Sequence, residues 1–336
     1  MAKSRRERRL RRLKKHKVMN DVEVSKDTSE APEVSKEPAK KEYRNVFSRI
    51  YDTQYKRLVL IPLILLLLAF IVLGVNMATT GDFMNRGVSL KGGLTLTIPS
   101  EEPISILELE VALNSEFPAN DIVVRGLSEL GVQRGVIIEA DITPDEREGF
   151  IFFVEGRTGI DEELYSIEEI GSSLGASFFK QTMIAVLFAF VFMGLVVFWY
   201  FRTLVPSGAV ILAAFSDIVV TLAIVNLMGM KIGTAGIAAF LMLIGYSVDT
   251  DILLSTRVLK RTEGTVMKRV YGAMKTGLTM NGSTIVAVTA ALILADSEVI
   301  KQIMTIILIG LFVDIINTWI QNVSILRYYL EKKGIK

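Results

Sequence analysis

The stretch that decides the fold is Leu58–Ala78, LVLIPLILLLLAFIVLGVNMA, which contains 21 residues and no charged side chain. A helix of about 20 apolar residues is long enough to cross the roughly 30 Å hydrocarbon core of a bilayer. Hydrophobic residues make up 51% of the whole chain, and most of them lie in such runs. Five further runs of 19 to 25 residues follow: Thr182–Phe201, Leu204–Met228, Ile232–Leu254, Gly277–Ala295 and Ile303–Leu326. The sequence therefore predicts an α-helical polytopic membrane protein with six transmembrane helices.

The charged residues predict how the chain is oriented in the membrane. Residues 1–57 contain 18 Lys or Arg against 9 Asp or Glu, and residues 254–276 contain 6 against 1. Residues 79–180 are acidic, with 7 Lys or Arg against 19 Asp or Glu. Basic segments close to transmembrane helices stay in the cytoplasm. We therefore expect a multi-pass protein of the cell membrane with both termini cytoplasmic and residues 79–180 extracytoplasmic.

The apolar runs divide the chain into parts of different character. Ten of the first seventeen residues are Lys or Arg, and this basic tail has too few apolar residues to form a core, so it is expected to be largely disordered. Such a tail is expected at most to bind anionic lipid headgroups or the ribosome weakly, through its positive charge. The predicted parts are the tail 1–57, the first helix 58–78, an extracytoplasmic domain 79–180, helices two to six within 181–330 with a basic cytoplasmic loop 255–276, and a cytoplasmic C-terminus 331–336.

Residues 79–180 alternate between strand-like and helix-like patterns. Alternating residues around a Gly-Gly turn predict a β-hairpin over Gly87–Ile98, and apolar residues at helical spacing predict a helix over Ile104–Phe117. We expect the segment Ser166–Lys180 to be a helix that leads into the second transmembrane helix. Three short runs are predicted as strands: Asp121–Leu127, Gly135–Ala140 and Phe150–Val154. This order favours a small α+β, ferredoxin-like domain with helices on one face of its sheet.

Missing residue types exclude several kinds of chemistry. The chain has no cysteine and a single histidine, His16, which lies in the basic tail. A disulfide framework, a thiolate zinc site, a cysteine nucleophile and a Ser-His-Asp triad are therefore excluded. The phosphate-binding motif GxxxxGK[ST] is absent as well. We expect no enzymatic activity, no cofactor, no metal and no bound nucleotide.

Four aspartates lie inside the predicted transmembrane helices: Asp217, Asp249, Asp251 and Asp314. An ionisable side chain in a membrane is costly and is a functional candidate by default. A carboxyl group that loses and regains a proton as helices move is what proton-coupled transport requires. The alternative is that these aspartates are protonated hydrogen-bond partners that fix helix packing. Asp249 and Asp251 are two positions apart, about 200° around a helix, so they face different directions.

The sixth transmembrane helix carries a polar stripe. Asp314, Asn317, Gln321 and Ser324 recur at helical spacing. Lipid cannot satisfy such a face, so it must face protein or water. Asp217, Asp314, Asn317 and Gln321 are therefore secondary intramembrane candidates.

Four stretches together resemble one family of membrane proteins. They are NRGVSLKGG (Asn85–Gly93), IEEIGSSLG (Ile167–Gly175), IGYSVDTDILLSTRV (Ile244–Val258) and GAMKTGLTMNGST (Gly272–Thr284). These residues, and six helices with one large domain between the first two, are similar to the SecF family of archaeal type. SecF proteins are the smaller partners in SecD–SecF protein-export complexes of the resistance–nodulation–division superfamily. A SecD-like chain would need a much longer first domain, so the length favours SecF.

The resemblance implies an accessory subunit of the Sec protein translocase. Such a subunit works with SecD and the SecY–SecE channel, and it uses the proton gradient to promote late steps in the export of polypeptides. The family's acidic position in the fourth helix falls at Asp249 or Asp251, and its basic partner falls at Lys275. Here the acid is a doublet and the base is Lys instead of Arg, which changes the pairing geometry.

Two other classes of function remain open on the sequence alone. A small-solute or ion secondary transporter of the same superfamily should show discontinuous helices around a binding pocket inside the membrane. A purely structural assembly factor should tolerate Asp249→Asn and Asp251→Asn without loss of function.

Overall fold

Six long helices form the membrane part of the protein. The computed structural model describes residues 51–129, 132–261, 263–295 and 297–335. The basic tail up to residue 50, including His16, lies outside these ranges, so the structure does not bear on its predicted disorder. Within the described residues, six helices are long and apolar enough to cross a membrane, and we call them the first to the sixth span: Tyr55–Thr80, Ser172–Phe201, Leu204–Leu227, Thr234–Lys260, Val266–Leu294 and Val299–Lys332.

Four of the spans extend well beyond the apolar runs that predict them. The fourth continues to Lys260 and the fifth begins at Val266. The predicted loop 255–276 is therefore wrong in length, because only residues 261–265 connect the two helices. Arg257 and Lys260 lie in the last turn of the fourth span, where basic side chains interact favourably with the last carbonyl groups of the helix. Arg269, near the start of the fifth span, donates to the carbonyl of Val258 in that same last turn. The second and sixth spans are longer in the same way.

An α+β domain, residues 81–171, lies between the first two spans. In chain order it contains strand β1, helix α1, strands β2 and β3, helix α2 and strand β4. The four strands form one antiparallel sheet in the order β2-β3-β1-β4. The bounds are β1 Gly93–Pro99, α1 Ile106–Glu116, β2 Ile122–Glu129, β3 Val132–Ala140, α2 Arg147–Thr158 and β4 Ser166–Ile170.

The two faces of this sheet differ because successive side chains of a strand point to opposite sides. On β1, Leu94, Leu96 and Ile98 are buried in the core of the domain, whereas Thr95 and Thr97 are half-buried on the other face. Leu96 lies opposite Ile138 on β3. Residues of α1 and α2 complete the core, so one face is covered by helices, as the sequence predicts.

Three predicted elements of the domain are wrong. The run Phe150–Val154 lies within α2 and is helical. Its apolar residues are buried at positions 150, 151 and 154, which is the spacing of one helix face. Residues Ser166–Ile170 form the edge strand β4, so the helix predicted over 166–180 begins only at Ser172. Within the predicted hairpin Gly87–Ile98, residues Val88–Lys91 form one short helix and only the second half is a strand.

The turn Gly92-Gly93 is where the domain meets the second span. Both glycines have positive φ, 94° and 131°. A Cβ on Gly92 would lie 2.5 Å from the Cα of Ser172, and a Cβ on Gly175 would lie 2.6 Å from the backbone nitrogen of Gly92. These distances are shorter than any real Cβ contact, so the backbones approach closely because the side chains are absent. Two of the four stretches that carry the family resemblance thus pack against each other.

The segment after the first span is also bonded to the connection between the third and fourth spans. The side-chain amide of Asn226 donates to the carbonyl of Phe83 at 2.8 Å. The Ile232 N–H donates to the carbonyl of Asn85 at 2.7 Å, and the Gly87 N–H donates back to the carbonyl of Ile232 at 3.0 Å. The domain is therefore held by backbone contacts at a third place, besides the ends of the first two spans.

Four charged residues reinforce this contact. Lys231 forms an ion pair with Asp121 at the start of β2, and Lys91 forms one with Asp141 after β3. The two pairs are connected, because Asp141 also accepts a hydrogen bond from the Asp121 N–H. Lys231 is the only one of the four that belongs to the membrane bundle, so it links the bundle to the charged corner of the domain.

The third and fourth spans form the interior of the bundle. In their most apolar parts 61% and 56% of the residues are buried, against 11% in the first, second and fifth spans. Small residues allow close packing here: a Cβ on Gly310 of the sixth span would lie 2.4 Å from Leu243 Cδ2. Asp217 of the third span, Asp251 of the fourth and Asp314 of the sixth are thereby enclosed by protein.

Candidate functional site

Three of the four intramembrane aspartates are buried inside the bundle. Asp217 on the third span and Asp251 on the fourth are fully buried, and Asp314 on the sixth is 1% exposed. Asp249 is exposed on the surface of the fourth span. The doublet therefore splits as its helical spacing predicts, with one carboxyl inside the bundle and the other outside.

Asp217 is held by two other spans. Its carboxylate accepts a hydrogen bond from the Ser247 hydroxyl of the fourth span. It accepts a second bond, of 2.7 Å, from the side-chain amide of Asn317 on the sixth span. This contact brings together two residues of the predicted polar set.

Asp314 accepts its hydrogen bonds from the fifth span and from its own helix. The Asn281 amide donates at 2.9 Å, and the Thr318 hydroxyl donates at 3.0 Å. The Asn281 side chain also accepts from the Thr250 hydroxyl of the fourth span at 3.4 Å. Asp314 and Asn281 therefore join the fourth, fifth and sixth spans.

Asp251 accepts one close hydrogen bond among the described residues. The Asn322 amide of the sixth span donates to its Oδ1 at 2.7 Å. Its Oδ2 is buried and has no hydrogen-bond partner within the part of the chain that the structure describes. A buried carboxyl oxygen without a donor is an atom on which a proton can reside at little steric cost.

All the donors to these three carboxyls are neutral. Within the described ranges, no Lys or Arg nitrogen lies within 4.0 Å of Asp217, Asp251 or Asp314. A buried carboxylate without a cation costs several kcal/mol even when amides and hydroxyls donate to it. Adding or removing a proton here therefore changes the energy of the helix arrangement strongly.

Lys275 does not take part in this network. It is exposed on the fifth span, and among the described side chains it forms no ion pair with Asp249 or Asp251. Asp249 is exposed on the fourth span, and Lys275, Thr279 and Ser283 are exposed at intervals of four residues on the fifth. We call this set the exposed polar face.

The remaining members of the predicted stripe lie toward the end of the bundle opposite the α+β domain, which we call the far end. Gln321 donates to the Ser216 hydroxyl at 3.4 Å. Ser324 donates to the carbonyl of Tyr55 at 3.1 Å, and so bonds the sixth span to the start of the first. The stripe thus contacts protein along its length, as the sequence predicts.

Two amide side chains of the network are missing from the sequence-based set of site residues: Asn281 and Asn322. Asn281 lies in the middle of the fifth span. An amide side chain in an apolar run is a functional candidate, so the sequence could have indicated this residue. Asn322 lies off the regular helical stripe. The structure buries it because residues Asn317–Asn322 form a π-helix, in which the spacing of a face is wider than in an α-helix.

Comparison with known proteins places the chain in a family. The family model for the C-terminal region of the protein-export membrane proteins SecD and SecF matches residues 154–332. The protein-export membrane protein SecF of Methanocaldococcus jannaschii is 38% identical over 295 residues, which cover 84% of this chain and 98% of that protein. SecF of Pyrococcus furiosus is 34% identical, with 83% of this chain and 92% of that protein covered.

A solved structure shows the same fold. The crystal structure of SecDF from Thermus thermophilus, described as a translocon-associated membrane protein, matches with a TM-score of 0.65 and 22% identity. The match covers 87% of this chain and 39% of that chain, so this chain spans about two fifths of the SecDF length. The family model covers more than half of the sequence and the archaeal relatives match over nearly their whole length, and we conclude that this multi-pass membrane chain belongs to the SecF family of protein-export membrane proteins.

Proposed function

We propose that this chain is an accessory subunit of the Sec protein translocase that uses the proton gradient, with a SecD-like partner, to promote late steps of protein export. The observation that carries the proposal is the set of three buried carboxyls, each of which accepts hydrogen bonds from neutral donors on at least one span other than its own. Moving a proton onto or off such a group alters the contacts among four helices. This is what coupling between a gradient and a mechanical step requires.

Within this proposal Asp251 is the residue that exchanges the proton. Its Oδ2 is buried without a donor among the described residues, whereas its Oδ1 accepts from Asn322. Protonation of Oδ2 removes the negative charge and weakens the pull on the Asn322 amide, since a hydrogen bond to a charged acceptor is about twice as strong as a neutral one. Asp217 and Asp314 respond to that change through the sixth span.

We further propose that the SecD-like partner covers the exposed polar face. Asp249 and Lys275 are charged and exposed on helices that cross the membrane, and lipid satisfies neither. A second helix bundle with its own polar side chains would satisfy both. Thr279 and Ser283 are small polar residues of the kind that line interfaces between membrane helices.

The proposed orientation places the α+β domain outside the cell and both termini in the cytoplasm. It rests on the charge distribution of the loops. The domain has the strand and helix order of a ferredoxin-like fold, and the edge strands β2 and β4 offer free backbone groups to an extended chain. In this arrangement it would contact polypeptides that leave the SecY–SecE channel.

The test uses inverted membrane vesicles that contain the SecD-like partner, the channel and this chain. Completion of a translocating preprotein is followed with and without an imposed proton gradient. We expect Asp251→Asn to abolish the acceleration by the gradient while the protein still copurifies with its partner. Asp249→Asn, two positions along the same helix, is the matched variant, and we expect it to reduce copurification instead.

Equal acceleration with Asp251→Asn and with the unaltered chain would refute proton coupling through this residue. A protonophore and a sodium ionophore, added separately, identify the driving ion. Undiminished copurification of Asp249→Asn would remove the proposed partner surface but leave the coupling proposal standing.

A further inference from the structure

The sixth span is not a regular α-helix throughout. It consists of the α-helix Glu298–Ile316, the π-helix Asn317–Asn322 and the α-helix Val323–Lys332. A π-helix is rare, because its i→i+5 hydrogen bonds are less favourable than those of the α-helix, and it persists only where other contacts compensate. The contacts around these six residues therefore indicate what it is for.

The π-helix allows two amides to reach two different carboxyls. Asn317 donates to Asp217 on the third span, and Asn322 donates to Asp251 on the fourth. Five residues turn about 500° in an α-helix, which places the two side chains about 140° apart. With the wider turn of a π-helix the same residues are only about 50° apart. A change to α-helix would rotate one of the two amides away from its partner.

One backbone carbonyl shows how the π-helix is held. The Val323 N–H bonds to the carbonyls of Thr318 and Ile320, five and three residues back. It does not bond to the carbonyl of Trp319, four residues back, which is its partner in an α-helix. The Trp319 carbonyl instead accepts a 2.5 Å hydrogen bond from the hydroxyl of Tyr51.

Tyr51 is fixed in place by the far end of the bundle. Its side chain is 4% exposed. The guanidinium of Arg327 donates to the carbonyl of Tyr51 at 3.0 Å and to that of Asp52 at 2.9 Å. The Tyr271 hydroxyl of the fifth span donates to the Asp52 carboxylate at 3.0 Å. The hydroxyl of Tyr51 is thus aimed by contacts from the fifth and sixth spans.

The Trp319 side chain is confined by the fifth span. A Cβ on Gly277 of the fifth span would lie 2.3 Å from Trp319 Cζ2, so the indole occupies the space that a side chain would take. Trp319 is 3% exposed. The π-helix is therefore held both through its backbone and through its largest side chain.

We propose that Tyr51 is a positioning residue: its hydroxyl occupies the Trp319 carbonyl, keeps the sixth span in the π conformation, and so holds Asn317 and Asn322 on Asp217 and Asp251. The functional part of this proposal rests on the proposed proton coupling. The geometric part stands on the hydrogen bonds alone.

The experiment measures geometry first. The chain has no cysteine, so Asp251→Cys and Asn322→Cys introduce a single cysteine pair, whose rate of oxidation reports how often the two positions come together. The rate of disulfide formation in membranes is compared between this pair alone and the pair combined with Tyr51→Phe. We expect Tyr51→Phe to lower the rate about five-fold, because one hydrogen bond of ordinary strength is lost. Tyr328→Phe, at an exposed tyrosine of the sixth span, is the control and should leave the rate unchanged.

Gly277→Ala is the second variant, because its methyl group would collide with the indole of Trp319 while Tyr51 is unaltered. It should lower the rate as well. Equal rates with Tyr51→Phe and Tyr328→Phe would overturn the proposal, whatever the export assay shows.

The second measurement is gradient-driven export with the native Asp251 and Asn322. Tyr51→Phe should reduce the acceleration by the gradient and leave the gradient-independent rate unchanged, and Tyr328→Phe should change neither. If Asp251→Asn itself leaves the acceleration intact, the proposed coupling fails while the disulfide rates still decide whether Tyr51 positions the π-helix. If the acceleration survives Tyr51→Phe but not Asp251→Asn, the positioning role is refuted and the coupling is not.

Discussion

The α+β domain and the membrane bundle bury opposite kinds of side chain. The domain packs Leu96, Ile138 and Phe150 at 0% exposure and leaves most of its carboxylates at the surface. The bundle buries Asp217 and Asp251 and exposes many leucines and phenylalanines on its outer surface. In water, a fold is stabilised by burial of apolar area. In a lipid bilayer, it is stabilised by close packing and hydrogen bonds between helices. The same chain thus uses two different sources of stability, and each can be disturbed separately.

The largest effect should come from the core of the domain. Phe150→Ala removes a fully buried ring and leaves a cavity, which costs about 3–5 kcal/mol. The cost should appear as faster proteolysis within residues 81–171 of the full chain in membranes. Phe152→Ala, at a ring that is 77% exposed two positions along the same helix, should leave the proteolysis rate nearly unchanged. Similar rates for the two variants would show that the helical layer does not pack as described.

A smaller effect should come from helix packing in the bundle. Gly310→Ala would place a methyl group 2.4 Å from Leu243 Cδ2, and overpacking of this kind costs about 1–3 kcal/mol. The midpoint of thermal unfolding in detergent should fall. Gly74→Ala is the control, because no atom lies within 4 Å of its Cβ position on the first span. A midpoint that falls equally for both variants would mean that helix propensity, not packing, sets the response.

The smallest effect should be a pH dependence confined to the domain. Hydrogen bonds from the side chain and then the backbone of Thr143, and from Asn120, lower the pKa of Glu146 below its ordinary value of 4.5. Because the folded pKa is the lower one, the stabilisation is present above the unfolded pKa and is lost as the pH falls through the folded pKa.

In the unaltered chain the domain should therefore become slightly less stable as the pH falls below about 4.5, and in Glu146→Gln this decrease should be absent. The measurement is the rate of proteolysis of the domain at a series of pH values above and below 4.5. Glu148→Gln, at an exposed carboxyl of the same helix, serves as the comparison. If stability falls equally at low pH in the unaltered chain and in Glu146→Gln, the attribution of this pH dependence to Glu146 is contradicted.

Much of the architecture could be predicted from the sequence. Apolar runs define six spans because the thickness of the bilayer fixes their length. The ends of the helices could not be predicted well. The fourth span continues to Lys260 and the fifth begins at Val266, because backbone hydrogen bonds and capping extend a helix beyond its apolar run. The segment Phe150–Val154 has the apolar, aromatic character of a strand, but it lies in helix α2 and packs into the core of the domain.

The site could be predicted in part for a similar reason. The arithmetic of a regular helix separates Asp249 from Asp251 correctly. The same arithmetic places Asn322 off the polar face, because it assumes 3.6 residues per turn through a segment that is a π-helix. The contact of Tyr51 with Trp319 joins residues 268 positions apart, and no local pattern encodes such a contact.

That long separation has a consequence for how the protein is made. The ribosome synthesises Tyr51 and Asp52 before the first span, and it synthesises their partners, Trp319 and Arg327, in the sixth. The far end of the bundle therefore cannot close until the sixth helix has been inserted, and neither can the bonds from Asn317 and Asn322 to the two earlier aspartates. Until that moment the carboxyls of the third and fourth spans lack their amide donors. Insertion of the sixth helix, and not insertion of the earlier ones, is the step at which these contacts of the bundle form.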